Sequence, residues 1–574
     1  MNREEFCSQV RTRLQSQGEK VLLRIVVSPE FDHPVELTGP AILQRAEELV
    51  SSLLPGKERS VVLLLLPHSP ELFLLHLGIL LKGHVPGILA WPTTRVDPEK
   101  YQRNLVHQLS HLPADLLVTL PRLAENLSRS LPYPTTGLTI ANQSHYERMF
   151  PSGAVAGSLE TSEFPEKLAQ AASDTLFLQF SGGTTGAQKA IVVSAPMLSE
   201  QLTRLGEILG FTGEDGVVSW LPLYHDMGLI ACFWLPLWHG AASLHIAASD
   251  WVLNPELLFR FIGRHKATFC WLPNFAFSYL SQRRESMREE HRLSSIKGWI
   301  NCSEPVRHKS VFEFVRTFEG WGVTQESMQA SYAMAETVFA ITQSTLRCKL
   351  PEIPRSVVQS RGRTDHDLAY DLIDDVYVCS GKPIPNTEIK IVASDGATCA
   401  DLVPGEIYVR SPSLFSGYWG SDGFRTHSLR EGWHATGDYG FVSDGELYVI
   451  GRFKDIVIVG GNNIFPEDVE AVVNTIPGIY PGRVVAFGIE DKEYETQGLA
   501  VVAEMNSDYE EEAALELEGV LRKLILATVG TAPRYVAVTP QRWIVKSTAG
   551  KISRRETKEK FIRERLNAPT QESA

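Results

Sequence analysis

One ten-residue segment, 180–189, contains three glycines, three hydroxyl side chains and one lysine. The apolar run 176–178 before it and the β-branched run 191–193 after it are each typical of a buried strand. A loop of this composition can turn several backbone N–H groups toward one point, because glycine permits the required dihedral angles and lets an anion approach closely. The segment therefore predicts a polyphosphate-binding loop. A flexible glycine-rich hairpin turn is the structural alternative.

This loop is not of the Walker type, which reads G-x-x-x-x-G-K-[ST] and opens a helix. Here Lys189 follows Gln188, and a strand-like run follows the lysine. The choice between a phosphate site and a simple turn therefore depends on the rest of the chain.

An excess of 68 acidic over 55 basic side chains gives the 574-residue chain a formal net charge of −13. That balance argues against general binding to nucleic acid or to an anionic membrane surface. The seven cysteines include no C-x-x-C pair, which favours reduced thiols over a disulfide framework or a zinc site. The polar N-terminus lacks a signal-peptide core and the apolar stretches are too short to cross a bilayer, so we expect a cytoplasmic protein without membrane insertion.

Strand and helix patterns alternate through the first three quarters of the chain, as in the strand-like residues 60–66 and the helical pattern after them. This alternation predicts an α/β fold. From about Gly381 short strands alternate with Gly, Asp and Pro turns, and a compact α+β pattern follows residues 451–455. We therefore expect an N-terminal domain over residues 1–450 with a β-rich part from about 381, a hinge at 451–455, and a small C-terminal domain over residues 456–574.

Six further motifs follow the glycine-rich loop. They are Leu-Tyr-His-Asp-Met-Gly-Leu at 223–229, Asn-Cys-Ser-Glu-Pro-Val at 301–306, Ser-Tyr-Ala-Met-Ala-Glu at 331–336, Trp-His-Ala-Thr-Gly-Asp at 433–438, Gly-Arg-Phe-Lys-Asp at 451–455 and Ser-Thr-Ala-Gly-Lys-Ile at 547–552. Together with the opening loop, this series closely resembles that of the adenylate-forming superfamily, which contains acyl-CoA synthetases, peptide-synthetase adenylation domains and luciferases. The resemblance covers roughly residues 40 to 565. Any one motif is weak evidence, whereas seven in order are strong evidence.

Within the superfamily the chain looks most like a stand-alone fatty acyl-AMP ligase. The sequences of residues 219–230, 303–306 and 550–555 resemble the corresponding motifs of that group. The spacing from Glu336 to Gly381 is about 45 residues, longer than we expect for a plain acyl-CoA ligase. Fatty acyl-AMP ligases carry an insertion in this region, and we expect it at residues 346–377.

The resemblance implies a large N-terminal region of two α/β layered subdomains plus the small β-rich subdomain, followed by a small, mobile α+β C-terminal domain that carries the catalytic lysine. It also implies two half-reactions. A carboxylate first attacks the α-phosphate of ATP, giving acyl-AMP and pyrophosphate, and a thiol then attacks the mixed anhydride. The implied cofactors are ATP and Mg²⁺.

Residues that match the family motifs are assigned by this resemblance to parts of the nucleotide. The β- and γ-phosphates would be held by Ser181, Gly182, Gly183, Thr184, Thr185, Gly186 and Lys189. The adenine would lie against Ser303, Glu304, Pro305, Ser331, Tyr332 and Ala333. Asp438 and Arg452 would bind the ribose hydroxyls, and Lys454 would be the pivot of the small domain. A turn aspartate and a core tyrosine are the structural alternatives for Asp438 and Tyr332.

The resemblance assigns catalysis to Lys551, His225 and Glu336. Lys551 would bridge the attacking carboxylate and the α-phosphate, since a compact ammonium can neutralise two anions that otherwise repel. Glu336 and Thr185, or Thr184 in its place, would supply oxygen ligands to Mg²⁺, and His225 would lie beside the acid. The alternatives are a solvated lysine, a helix-surface glutamate and a packed histidine.

The glycine-rich loop departs from the usual family wording at three positions. Gly182 stands where Ser is usual, Gln188 where Pro is usual and Ala190 where Gly is usual. One hydrogen-bond donor is lost and the exit of the loop is less constrained. We expect ATP binding to survive these changes, at most weakened.

The expected substrate is a fatty or other plain carboxylic acid. Residues 224–227 read Tyr-His-Asp-Met where enzymes for amino acids carry a Phe-Asp-x-Ser motif. Some members of an aromatic-rich set are expected to line an acyl tunnel; the set is Cys232, Phe233, Trp234, Trp238, Phe275, Phe277 and Tyr279. The expected acceptor is a separate acyl carrier protein, with free CoA as the alternative. A catalytically degenerate adenylate-binding protein is the non-enzyme alternative, and the retained lysines and acids argue against it.

Overall fold

The computed structural model describes residues 1–28, 30–54, 59–91, 105, 109, 112, 114–128, 131, 134–140, 173–181, 189–358, 376–420, 423–426, 429, 431–459, 462–491, 496–546 and 552–566. Three sequence predictions fall outside these residues. They are most of the glycine-rich loop (182–188), the assigned catalytic residue Lys551, and a surface loop that the Gly, Ser and Pro residues of segment 152–167 predict before the glycine-rich loop.

Most α-helices of the described chain begin where capping residues or prolines favour them. They are α1 (Arg3–Ser16), α2 (Gly39–Leu53), α3 (Pro70–Leu81), α4 (Pro121–Leu127), α5 (Ala195–Leu209), α6 (Leu235–His239), α7 (Ala248–Leu253), α8 (Glu256–His265), α9 (Asn274–Gln282), α10 (His308–Phe318), α11 (Pro466–Val473), α12 (Glu511–Val529) and α13 (Arg554–Phe561). A π-helix, Met227–Trp234, leads directly into α6. Within the described residues, no helix has both the length and the apolar character needed to cross a bilayer.

The strands are short, and most of them alternate with helices in the first half of the chain. The first fourteen are β1 (Val21–Val27), β2 (Glu30–Thr38), β3 (Val61–Leu65), β4 (Val85–Ile88), β5 (Leu116–Thr119), β6 (Thr135–Gly137), β7 (Thr175–Ser181), β8 (Lys189–Ser194), β9 (Gly216–Ser219), β10 (Ala242–His245), β11 (Phe269–Leu272), β12 (Gly298–Cys302), β13 (Met328–Ala333) and β14 (Ala340–Gln343). The others are β15 (Glu352–Pro354), β16 (Val376–Val378), β17 (Lys382–Pro383), β18 (Glu388–Val392), β19 (Gly405–Arg410), β20 (Gly417–Gly420), β21 (Gly423–Thr426), β22 (His434–Ser443), β23 (Glu446–Arg452), β24 (Val457–Val459), β25 (Asn462–Ile464), β26 (Ile479–Asp491), β27 (Thr496–Met505) and β28 (Tyr535–Thr539).

Two large sheets organise the N-terminal region. One has the strand order β17-β14-β13-β12-β11-β9-β10-β1-β2 and the other has the order β21-β20-β8-β7-β4-β3-β5-β6. The central strands of both run parallel, and antiparallel strands lie at the edges. A four-stranded antiparallel sheet, β18-β19-β22-β23, forms the β-rich part, and β26-β27-β28 form a small sheet near the C-terminus. The predicted fold class, two α/β subdomains with a small β-rich and a small α+β unit, is confirmed.

Separate apolar cores match this division. One large cluster of buried side chains runs from Phe6 to Ile450, whereas a second cluster is built from Val457 to Val538. The boundary predicted at residues 451–455 falls between them. That these residues act as a hinge stays a prediction.

Most local predictions agree with the observed elements, with two differences. Within the C-terminal α+β pattern the apolar residues 484–487 predict a strand, and the observed strand is longer, because β26 starts at Ile479 and continues to Asp491. The N-terminal elements α1, β1 and β2 were not predicted, since β1 finds its parallel partner β10 more than 200 residues later in the chain. The segment predicted as an insertion, 346–377, contributes β15, which pairs antiparallel with β16; residues 359–375 are not described.

Candidate active site

The candidate site lies where four neighbouring parallel strands end. Strands β9, β11, β12 and β13 are adjacent in the largest sheet. His225 follows β9, Asn274 follows β11, Ser303–Pro305 follow β12, and Tyr332 and Ala333 close β13. The carboxyl ends of adjacent parallel strands meet at one edge, which is where open α/β sheets bind ligands. The structure therefore brings together segments that the sequence assigns to the acid and to the adenine.

The loop after β12 is fixed by a side chain that was assigned to the adenine wall. The carboxylate of Glu304 accepts a hydrogen bond from the backbone N–H of Phe275 at 2.9 Å, in the first turn of α9. Ser303 adopts a positive φ of 73°, and its hydroxyl lies 4.0 Å from the sulfur of Met227. The adenine-side loop is thus tied to two helices on the predicted acid side.

Asp438 lies at the centre of a small polar group between two sheets. It is paired with Arg452 in the β22–β23 register, and the guanidinium Nε lies 2.8 Å from its Oδ1. The Tyr332 hydroxyl, from the end of β13, donates to its Oδ2 at 2.5 Å. Residues that the sequence assigned to ribose and adenine are therefore in direct contact.

Charge and burial act in opposite directions in this group. Burial raises the pKa of the Asp438 carboxyl, and the Arg452 guanidinium and the Tyr332 hydroxyl oppose that rise. Burial, with the charge of Asp438, also raises the pKa of Tyr332 well above its usual value, so its hydroxyl stays a donor. A carboxylate held between a cation and a hydroxyl is suited to accept hydrogen bonds from a diol.

The loop that carries Glu336 is strained and held by two buried amides. Val338, at the end of the 3₁₀ turn Ala335–Thr337, has φ 67° and ψ −49°, which is rare for a β-branched residue. The Gln179 side chain, from β7, donates to the carbonyl of Val338 at 3.2 Å. The Gln201 amide nitrogen, from α5, donates to the carbonyls of Thr337 (2.9 Å) and Ala340 (3.1 Å). The amides fix the backbone immediately after the carboxylate.

The Glu336 carboxylate itself has a fixed partner. The Tyr418 hydroxyl donates to its Oε1 at 3.1 Å. Burial raises the pKa of Glu336, and the Tyr418 hydroxyl opposes the rise. Mg²⁺ prefers carboxylate and water oxygens and needs few protein ligands, so a single buried carboxylate such as Glu336 is compatible with it. Among the described residues, no group of three His, Cys, Asp or Glu side chains could hold a metal by itself.

Only the two ends of the glycine-rich loop are described. Ser181 closes β7 and is paired with Lys189, the first residue of β8. The flanking strands are therefore confirmed and form an antiparallel pair. The positions assigned to phosphate contacts at Gly182, Gly183, Thr184, Thr185 and Gly186 lie outside the described residues.

His225 is half-buried immediately before the π-helix, with its ring centroid 5.0 Å from that of Tyr224. The Asp226 carboxylate accepts from the N–H of Met227 at 2.8 Å and so caps the helix. Gly228 is required here, since a Cβ would lie 2.2 Å from the carbonyl oxygen of Pro222. The π-helix therefore begins beside the predicted acid site. Segments of π-helix are frequent at functional sites.

The aromatic set expected near an acyl tunnel divides into separate groups. Trp234 and Trp238 pack on Phe6 of α1, and Trp234 Nε1 donates to His76 at 3.2 Å, so both belong to the core. Phe275 and Tyr279 instead flank a parallel stack of Trp220 and Trp251, whose ring centroids are 3.9 Å apart; their contacts are to this stack. The seven residues therefore do not line one tunnel together. Sequence reasoning did not include Trp220 and Trp251 in this set.

The segment predicted as a hinge joins a buried cluster of charges. Lys454 is exposed. Arg554 binds the carboxylate of Asp455, that of Glu470 at 2.8 Å and that of Glu467 at 3.4 Å. Burial raises the pKa of Glu467 to about 7 even though Arg554 opposes the rise, and Glu470 adds to it.

A second cluster joins the small C-terminal unit to the large region. Asp468 of α11 is bound by Arg307, before α10, at 2.9 Å and by Arg355, next to β15, at 2.9 Å. Burial alone would raise the pKa of Asp468, but the charges of Arg355 and Arg307 more than offset it and hold that pKa well below its usual range. The Arg355 guanidinium also lies 4.5 Å from the ring centroid of Tyr377.

Several of these residues were missed by sequence reasoning. Gln179 lies two residues before the glycine-rich loop, and its position at the end of an apolar strand was the only available signal. Tyr418 lies between two glycines in β20, and nothing local connects it to Glu336. Asp468 and its arginines carry no motif.

Comparison with known proteins identifies the family. The family model described as AMP-binding enzyme matches residues 12–419. A medium-chain-fatty-acid–[acyl-carrier-protein] ligase, JamA of Moorena producens, is 28% identical over 416 residues, covering 68% of each chain. A putative acyl-CoA synthetase of Caulobacter vibrioides is 30% identical over 402 residues, again covering 68% of each. A structure from a study of fatty acyl-adenylate ligases of E. coli and L. pneumophila shares the fold, with a TM-score of 0.77, 21% identity and 98% of each chain covered.

The match spans well over half of the chain, and the sheet edge that it contains brings together the motifs at 223–229, 301–306 and 331–336. The chain belongs to the AMP-binding enzyme family, within the adenylate-forming superfamily, and it is an acid-adenylating ligase.

Proposed function

We propose that this ligase activates a fatty acid with ATP to acyl-AMP, releasing pyrophosphate, and then transfers the acyl group to the phosphopantetheine thiol of a separate acyl carrier protein. The observation that carries the proposal is the contact of Tyr332 and Arg452 with Asp438 at the edge where the acid-side and adenine-side segments meet. That arrangement places a carboxylate suited to a ribose diol near the segments assigned to the acid, as adenylate formation requires.

In the proposed complex each group of residues binds a different part of ATP. Asp438 accepts from the ribose hydroxyls with Arg452 beside it, and the loop Ser303–Pro305 lies along the adenine. Lys189 and the glycine-rich loop hold the β- and γ-phosphates. Glu336 and Thr185 would hold Mg²⁺, which would neutralise phosphate charge when bound.

The chemistry needs positioning more than proton transfer. A carboxylate oxygen of the acid attacks the α-phosphorus, the bond to the bridging oxygen breaks, and pyrophosphate leaves with the electron pair. Lys551 bridges the carboxylate and the α-phosphate in the transition state, and His225 lies beside the acid. In the second step a thiol loses its proton, its sulfur attacks the acyl carbon, and AMP leaves.

Two observations favour a plain fatty acid. The carboxylate of Asp226 caps the π-helix, so it is engaged with the backbone rather than directed at a substrate ammonium. A similar protein, JamA, is named for a medium-chain fatty acid and an acyl carrier protein. The second candidate, transfer to free CoA, is favoured by the similar Caulobacter protein, which is named a putative acyl-CoA synthetase.

A panel of acids of increasing chain length tests the activation step by acid-dependent ATP–pyrophosphate exchange. Free CoA and a phosphopantetheinylated carrier protein are then offered separately, and thioester is measured for each. We expect exchange with fatty acids and thioester on the carrier protein. Efficient thioester formation with CoA would show that CoA, rather than a carrier protein, is the acceptor. The absence of exchange with every acid would refute the activation step.

The Lys551→Ala variant tests the assigned catalytic residue. We expect acid-dependent exchange to fall by about 10²–10³-fold, because one charged transition-state contact is removed. Lys558→Ala, in α13, is the matched control and should keep full exchange. An unchanged rate in Lys551→Ala would remove this lysine from the mechanism.

A further inference from the structure

Tyr418 lies between two residues assigned to the triphosphate. Its hydroxyl donates to Oε1 of Glu336 at 3.1 Å, and Nζ of Lys189 lies 4.7 Å from the centroid of its ring. An aromatic face attracts an ammonium group, and a hydroxyl makes its stronger hydrogen bonds to charged acceptors. One side chain thus holds a cation on its face and an anion at its tip.

The backbone around Tyr418 is fixed to both neighbours. Strand β20 pairs with β8, placing Tyr418 opposite Ile191, two residues after Lys189. The N–H of Phe415 donates to the carbonyl of Glu336 at 2.8 Å, and the Phe415 ring packs on Tyr418 with centroids 4.7 Å apart. The approach to β20 therefore holds the main chain of Glu336, while Tyr418 holds its carboxylate.

We propose that Tyr418 is a positioning residue that keeps Lys189 and Glu336 apart and turns both toward one Mg²⁺-bound triphosphate. The inference rests on the proposed function for the identity of the ligand. Without the ring between them, the ammonium and the carboxylate would attract each other directly. Such a pair would neutralise the lysine needed for phosphate and occupy the oxygen needed for the metal.

The two halves of this role can be separated. Tyr418→Phe keeps the ring under Lys189 and removes only the bond to Glu336. Tyr418→Leu removes both. Tyr408→Phe is the matched control, because Tyr408 in β19 also carries a lysine, Lys390, at 5.6 Å from its ring centroid, and it is paired with Ala435 rather than with an assigned site residue.

Equilibrium binding of ATP without acid, followed by calorimetry, gives a readout independent of turnover. With Mg²⁺ present, we expect Tyr418→Phe to bind ATP about tenfold more weakly than the wild type, as for one hydrogen bond to a charged group. In EDTA the two proteins should agree within about twofold. Tyr418→Leu should bind more weakly in both conditions, and Tyr408→Phe should match the wild type throughout.

Exchange kinetics supply the second readout. In Tyr418→Phe the KM for Mg²⁺·ATP should rise about tenfold while the KM for the acid stays unchanged. Wild-type affinity in Tyr418→Phe with Mg²⁺ would overturn the inference, and so would an equal loss with Mg²⁺ and with EDTA, since that would indicate general loosening. Absence of exchange in the wild type would instead refute the proposed function, and the calorimetry would still decide the role of Tyr418.

Discussion

Two clusters of buried charge meet on the single helix α11, and they are built in opposite ways. In the Asp468 cluster (Arg307, Arg355, Asp468) two arginines surround one carboxylate. In the Arg554 cluster (Asp455, Glu467, Glu470, Arg554) three carboxylates surround one arginine. The first cluster joins the small unit to the large region, and the second lies within the small unit and its connection.

Neighbouring residues of one helix therefore titrate in opposite directions. The pKa of Asp468 is held well below its usual range, and that of Glu467 is raised to about 7. The difference shows that the ratio of positive to negative charges around a buried acid, rather than burial itself, decides whether the pKa of that acid is raised or lowered. The cluster with excess positive charge stabilises an ionised acid, and the cluster with excess negative charge favours a protonated one.

Arg554→Met should produce the largest effect. It leaves three partly buried carboxylates without their cation, and removing one partner of such an ionic group costs about 3 kcal/mol. Urea unfolding at neutral pH measures the loss. Arg555→Met is the control, because Arg555 makes one exposed pair with Glu559 and should change stability by no more than about 0.5 kcal/mol. Equal effects of the two variants would contradict the comparison.

Asp468→Asn should have the next largest effect, about 2 kcal/mol, because water can reach the two arginines in part after the change. The carboxylate has a lowered pKa in the folded protein, so its contribution is present above about pH 4 and is lost as the pH falls through the folded value. The penalty should therefore be constant from pH 8 to pH 5. Faster proteolysis within residues 451–455 is the second measurement, and an unchanged cleavage rate would show that the cluster does not hold the small unit in place.

Glu467→Gln should have the smallest effect and the opposite sign. A carboxyl whose pKa is raised on folding to about 7 destabilises the folded state above that pH, and the wild type gains stability as the pH falls from about 7 toward 4.5. The variant should be more stable by about 1–2 kcal/mol at pH 8, and the difference should vanish only as the pH falls below about 4.5. The free energy of unfolding, measured from pH 5 to pH 8, tests the sign of this effect. If Glu467→Gln were less stable than the wild type at pH 8, the ionised Glu467 carboxylate would be stabilised by its partners instead.

Local patterns in the sequence were sufficient for many elements and insufficient for the charge clusters. Apolar runs predicted β3, β7 and β8. The motifs then named the segments that meet at the edge of the largest sheet. These signals are local, because periodicity and capping act over a few residues.

The missed features depend on contacts between distant parts of the chain. Tyr418 meets Glu336 across 82 positions, and Arg307 meets Asp468 across 161. The direction of a pKa shift depends on every charge that faces the group, so a single acid in the sequence cannot reveal it.

The strained turn at Val338 sets protein stability against order at the site. A β-branched residue in this region of φ and ψ costs about 1–3 kcal/mol, and the side chains of Gln179 and Gln201 keep it there. Glycine at this position would relieve the penalty and would also let the segment after Glu336 sample many more conformations. A design that maximised melting temperature alone would replace Val338 with glycine. The protein would then be more stable, but the backbone that holds the Glu336 carboxylate in place would be less ordered.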